Sequence, residues 1–112
     1  MKLSTAQKKV IDDATAKIDF ARSHNFYDWY RKAMNCATYS DDRIDQVMAR
    51  NDEKLFGIGG KEYEMRSYEG YKNGEVLVTA NTKTLAKLEE MGVIKIIKEG
   101  GMYPDLIKVI NY

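Results

Sequence analysis

Apolar residues first recur along the chain at helical spacing. Val10, Ala14, Ile18 and Ala21, with Ile11 alongside, step by three and four positions, while Lys8, Lys9, Asp12, Asp13 and Lys17 fall mostly elsewhere. Ser4 with Gln7 three residues later forms a capping box, so the pattern predicts a helix over about residues 5–22. Ser23-His24-Asn25 reads as a break, with Asn25 capping a second helix from Phe26 to about Met34. Phe26, Trp29, Tyr30 and Ala33 share one face of it. These rings serve either as core beside the first helix or as a platform for stacking bases. Ser40 caps a third helix, Asp41 to about Asn51, with two carboxylates in the first turn where the helix dipole favours them. Ile44, Val47 and Met48 form its buried side.

Leu55 to Gly60 reads as a flexible, partly apolar loop. Its glycines lack the preceding strand and the following Lys-Ser/Thr of a phosphate-binding loop. A helix over Lys61–Asn73 stops at Gly74, and Glu75-Val76-Leu77-Val78 is β-branched and extended in character. Asn81 and Thr82 offer caps to a helix carrying Leu85 and Leu88, which ends at Gly92. Residues 93–98 and 106–112 are two β-rich runs around a connection bearing Gly100, Gly101 and Pro104, the pattern of an antiparallel hairpin. Pro104 belongs at its tip or on an edge, since it donates nothing to the ladder. The expected core comprises Val10, Ile11, Ile18, Phe26, Trp29, Ile44, Val47, Leu77, Leu85, Leu88, Ile94, Ile96, Ile107 and Val109.

Composition narrows what this pattern can be. A chain of 112 residues with 44% hydrophobic and 31% charged content is one globular domain rather than a disordered tail. One Cys and one His predict neither a disulfide framework nor a zinc site, and no cofactor motif is present. Without an apolar run of signal-peptide or membrane-spanning length, the expectation is a cytoplasmic protein with no membrane partner. The formal net charge of +1 hides a segregation. Residues 1–40 carry seven Lys/Arg and four Asp/Glu, residues 41–75 six and nine, and residues 76–112 five and four.

A short helix, a glycine stop and a two-stranded hairpin, preceded by helices, is the order of a winged helix-turn-helix domain. The stretch from Asn81 through Leu85, Leu88 and Gly92 to Ile94 resembles the recognition-helix end of that superfamily. More loosely, the Leu3-Ser4-Thr5-Ala6-Gln7 opening and this ending resemble small proteins of phages and prophages of Gram-positive bacteria. The resemblance implies an α+β fold, mainly α, with three or four helices and a C-terminal β-hairpin in a winged-helix-like arrangement. It implies a single domain over residues 1–112, with N-terminal helices in 1–52 and a recognition-type helix and wing in 76–112. Residues 74–80 separate that helix from the one before it, where winged helices use a turn of about three or four residues.

Two functions follow. As a small non-enzymatic regulator binding double-stranded DNA, the chain would use Asn81, Lys83, Thr84 and Lys87 on the helix and Lys95, Lys98 and Tyr103 on the wing. Lys8, Lys9 and Lys17 would extend that footprint. Winged helices commonly pair, so the resemblance also allows a homodimer in the bacterial cytoplasm. As the alternative, the chain is an adaptor or inhibitor of a host protein, as some anti-CRISPR proteins are. That reading rests on the tyrosines Tyr27, Tyr39, Tyr63, Tyr68, Tyr71 and Tyr103. It rests equally on the acidic Asp41, Asp42, Asp45, Asp52, Glu53, Glu62, Glu64 and Glu69, which would match a basic target. An enzyme is not expected: His24 stands alone, and the adjacent pairs Asp12-Asp13 and Asp41-Asp42 diverge on a helix.

Overall fold

The computed structural model describes residues 2–112. Over these described residues the chain is an α+β protein, mainly helical, with five helices and a three-stranded antiparallel sheet. Helix α1 (Thr5–Ser23) begins at the expected capping box: the Ser4 hydroxyl accepts from the Gln7 N–H, and the Gln7 side chain accepts from the Ser4 N–H. Its buried residues are Val10, Ala14, Ile18 and Ala21, the stripe read from the sequence. Asn25 caps α2 (Phe26–Ala33), accepting from the Asp28 N–H at 2.9 Å. Ser40 caps α3 (Asp41–Leu55) by accepting from the Arg43 N–H at 3.1 Å. Helix α4 (Lys61–Lys72), strand β1 (Glu75–Val78), helix α5 (Thr82–Glu90) and strands β2 (Ile94–Lys98) and β3 (Asp105–Val109) complete the chain.

One correction concerns a local element: helix α3 runs one turn past the expected end at Asn51 and takes in Leu55. Residues 56–60 form the expected connection, the tip of a helical hairpin in which Asn51 Nδ2 donates to the Gly59 carbonyl at 3.3 Å. A second correction concerns the sheet, which is not a free two-stranded arm. Strand order is β1-β3-β2, so β3 is central and pairs antiparallel with both neighbours. The β2–β3 hairpin is present, with a bulge between Ile96 and Lys98, and β1 adds a third strand against β3.

The register of β1 also corrects the expected core. Val76 pairs with Ile107 and faces inward together with Val78, whereas Leu77, expected inside, points to the other face and is 43% exposed. Alternation forces this, because adjacent strand residues cannot share a face. Ile11, Val47 and Ile96 are half-buried rather than enclosed.

Burial divides into two clusters. One unites Val10, Ala14 and Ile18 of α1 with Leu85 and Leu88 of α5 and the inward residues of all three strands. The other gathers Ala21, Phe26, Trp29, Tyr30, Ile44, Met48 and Tyr68 from the helices. Helix α1 contributes to both, and Tyr71 packs against both. The result is elongated, with extents of 46 × 28 × 20 Å and a radius of gyration of 15.1 Å. A compact chain of this length would have a radius near ~13 Å.

Candidate functional site

The residues expected to meet DNA are distributed as follows. Asn81 is the N-cap of α5, its side-chain oxygen accepting from the Lys83 N–H at 2.8 Å, so that group is committed to the helix. Lys83 and Lys87 are exposed on α5, and Lys87 lies 3.7 Å from Glu90. Thr84 is half-buried. Lys95 pairs across the ladder with Lys108, on the sheet face opposite Ile94 and Val109 and so away from the core against which α5 packs. Lys98 is exposed at the end of β2, and Tyr103 is 80% exposed in the β2–β3 loop. Between the start of α5 and that loop runs a groove of about 270 Å³ lined in part by Thr82, Tyr103, Glu99 and Asp105. Its two acidic residues oppose an approaching phosphate. The loop tip is apolar, Met102 being almost fully exposed beside Tyr103. Lys8 and Lys9 are exposed on α1, while Lys17 donates to the Leu77 carbonyl at 2.8 Å.

Both open edges of the sheet are occupied by side chains. Lys17 takes the Leu77 carbonyl on β1, and the Glu89 carboxylate accepts from the Ile96 N–H on β2 at 2.7 Å. An added strand from a partner would have to displace one of them.

The alternatives left open for the aromatic segment are resolved by burial. Phe26, Trp29 and Tyr30 are core residues, packed on Tyr68 and one another with ring centroids 5.5–6.1 Å apart. Tyr68 is therefore not an interface tyrosine; its hydroxyl donates to the His24 carbonyl. Tyr27 is half-buried and donates to Asp45 at 2.7 Å, which raises its pKa. Tyr39, Tyr63 and Tyr103 remain exposed. His24 stacks on Phe20 at 3.8 Å, with Nδ1 near the Ser23 hydroxyl and the Phe20 carbonyl. No carboxylate or nucleophilic thiol joins it among these contacts. Among the described residues no group of three His, Cys, Asp or Glu side chains gathers as a metal-ligand set.

The acidic residues expected on the surface are exposed or half-exposed with one exception. Glu64 of α4 is 5% exposed, has no ion-pair partner among the described residues, and burial pushes its carboxyl above the ordinary 4.5. The others surround the α3–α4 hairpin. At its tip Phe56 is 98% exposed and sits in the left-handed backbone region at φ 53°, with Leu55 and Ile58 exposed beside it. A bulky non-glycine residue rarely adopts that conformation. The N-terminus of α4 begins at Gly60, where an added Cβ would fall on the Asp52 carboxylate. That carboxylate occupies the position a phosphate would need, so the glycines build a tip rather than an anion cradle. Sequence reasoning passed over Phe56; its signal was an apolar Leu-Phe-Gly-Ile run between two highly charged helices.

No protein-family model, curated protein or solved structure matches the chain, so what it does has to come from its own geometry and charge.

Proposed function

We propose that this chain is a small non-enzymatic binding protein whose target is another protein, and that the α3–α4 hairpin is the arm that grips it. The observation that carries this reading is Phe56, a large aromatic side chain held in solvent at the end of that hairpin in a backbone conformation it disfavours. That left-handed turn is the C-cap of α3, its N–H donating to the Asp52 carbonyl, and it leaves the ring projecting from an exposed tip, a common anchor at protein interfaces. Charge behind the tip is mixed, Asp52, Glu53 and Glu62 standing among Arg50, Lys54, Lys61 and Arg66, so the matching surface on the partner is an apolar pocket with a rim of both signs. The likeness of the chain's opening and ending to small phage proteins fits an adaptor or inhibitor of that kind. In this reading the winged-helix-like half, α5 with β2 and β3, is the scaffold that orients the arm.

A second reading, DNA binding through the same winged-helix-like half, is favoured by one observation: Lys83 and Lys87 are both exposed, one turn apart on α5. Against it stand the capping role of Asn81 and the acidic groove beside the helix.

The two separate by variant. Phe56→Gly removes the ring and suits the left-handed backbone, so the fold should survive it. Nuclease-treated host lysate passed over the immobilised chain should yield one stoichiometric protein. Its recovery should fall at least ~10-fold with Phe56→Gly and be unchanged by Lys83→Ala/Lys87→Ala. Equal recovery with Phe56→Gly overturns the proposal. Retention of a random-sequence duplex, with a salt dependence flattened by the double lysine variant, establishes the DNA reading instead.

A further inference from the structure

Away from the α3–α4 tip, a cleft of about 330 Å³ opens where α1, α2, α4, β1 and the β2–β3 loop converge. Phe20, Trp29, Tyr71 and Leu77 supply its apolar walls, and Lys17 and Lys32 its charge; no carboxylate residue lines it. Leu77, turned out of the core by the register of β1, presents its exposed surface here.

The polar groups facing this space are unevenly committed. Lys17 is fixed, its Nζ 2.8 Å from the Leu77 carbonyl and 3.3 Å from Asp13. Lys32 makes no ion pair among the described residues; its ammonium stands 4.6 Å over the Phe20 ring. Trp29 is only 3% exposed and packs edge-on to Tyr71 at 5.3 Å. Apolar walls and a cation without an ion-pair partner together suit an apolar body bearing a negative acceptor.

Size limits the ligand further. A cavity of about 150 Å³ accepts benzene, so the cleft has room for one or two rings and a short acidic substituent. We propose that this cleft binds a small aromatic carboxylic acid, with the ring against Tyr71 and Leu77 and the carboxylate on Lys32. The site shares no residue with the α3–α4 tip, so its failure would leave the reading of that tip intact.

Trp29 is the sole tryptophan, and its emission reports directly on occupancy. The probes are 3-phenylpropionate, the corresponding amide and 3-phenylpropylamine. The acid is expected to change Trp29 emission saturably at millimolar concentration or below, the amide to bind roughly tenfold more weakly, and the amine weakest. Lys32→Ala should bring the acid down to the level of the amide. Ala33→Leu, on an exposed position lining the cleft, should block both while leaving the circular dichroism spectrum unchanged. Absence of a saturable response overturns the proposal. So does equal binding of the three probes, or an acid preference that survives Lys32→Ala.

Discussion

At the scale of single residues, Glu64 carries the clearest consequence. It lies on the buried face of α4 with Tyr68, one helical turn away, and Tyr30 of α2 and Tyr71 of α4 both feel its charge. Neither tyrosine is an ion-pair partner, so desolvation dominates and the carboxyl holds its proton above the ordinary 4.5. A raised carboxyl pKa destabilises the fold once the group ionises. Its contribution is fully favourable below about 4.5, declines as pH rises, and is lost above the raised value. Glu64→Gln should therefore match the parent chain at pH 4 and exceed it in stability at pH 7. Urea midpoints at the two pH values measure the difference; a gain independent of pH would contradict it. Position alone could not reveal this burial, because Glu64 sits among Glu62, Met65, Arg66 and Glu69 and looks like part of a solvated face.

Among the elements, helix boundaries were the most legible. Ser4, Asn25, Ser40 and Asn81 all cap as read, because an N-cap bond joins residues two or three apart and needs no tertiary partner. Gly74 and Gly92 likewise adopt positive φ, 88° and 76°, just past the helices they end. Strand β1 was legible as a strand but not in register. Val76, Leu77 and Val78 are all apolar, so no alternation marks the inward pair, and only pairing with β3 turns the valines in. The register predicts opposite outcomes for neighbouring truncations. Val76→Ala should cost about 2 kcal/mol and Leu77→Ala less than about 1 kcal/mol in denaturant titrations. Equal costs would mean that the strand is shifted by one residue.

For the whole molecule, the joint between the two hydrophobic clusters matters most. Tyr71 touches both, and the Leu77 backbone N–H partly offsets the rise in pKa that burial gives its phenol. Removing that ring should uncouple the halves. Tyr71→Ala is expected to lose about 2 kcal/mol. It should also separate two unfolding transitions that coincide in the parent: Trp29 emission for the helical cluster, and amide exchange of β3 for the sheet. Coincident transitions in the variant would show that α1, which spans both clusters, couples them by itself. Elongation and segregated charge follow from the same division. The arm with the acidic excess extends from the helical cluster, and the exposed lysines of α5 belong to the sheet end.

The order of helices, the closing hairpin, the caps and the apolar stripe of α1 were determined by the sequence, since each depends on neighbours within a turn or two of the chain. The tertiary structure alone decided that β3 lies between β1 and β2, that Leu77 faces a cleft, and that Tyr68 and Glu64 lie inside. It also decided that Phe56 stands outside at the tip of a helical hairpin. Those outcomes depend on which surfaces meet across dozens of residues, and a local pattern of polar and apolar positions holds no record of that meeting.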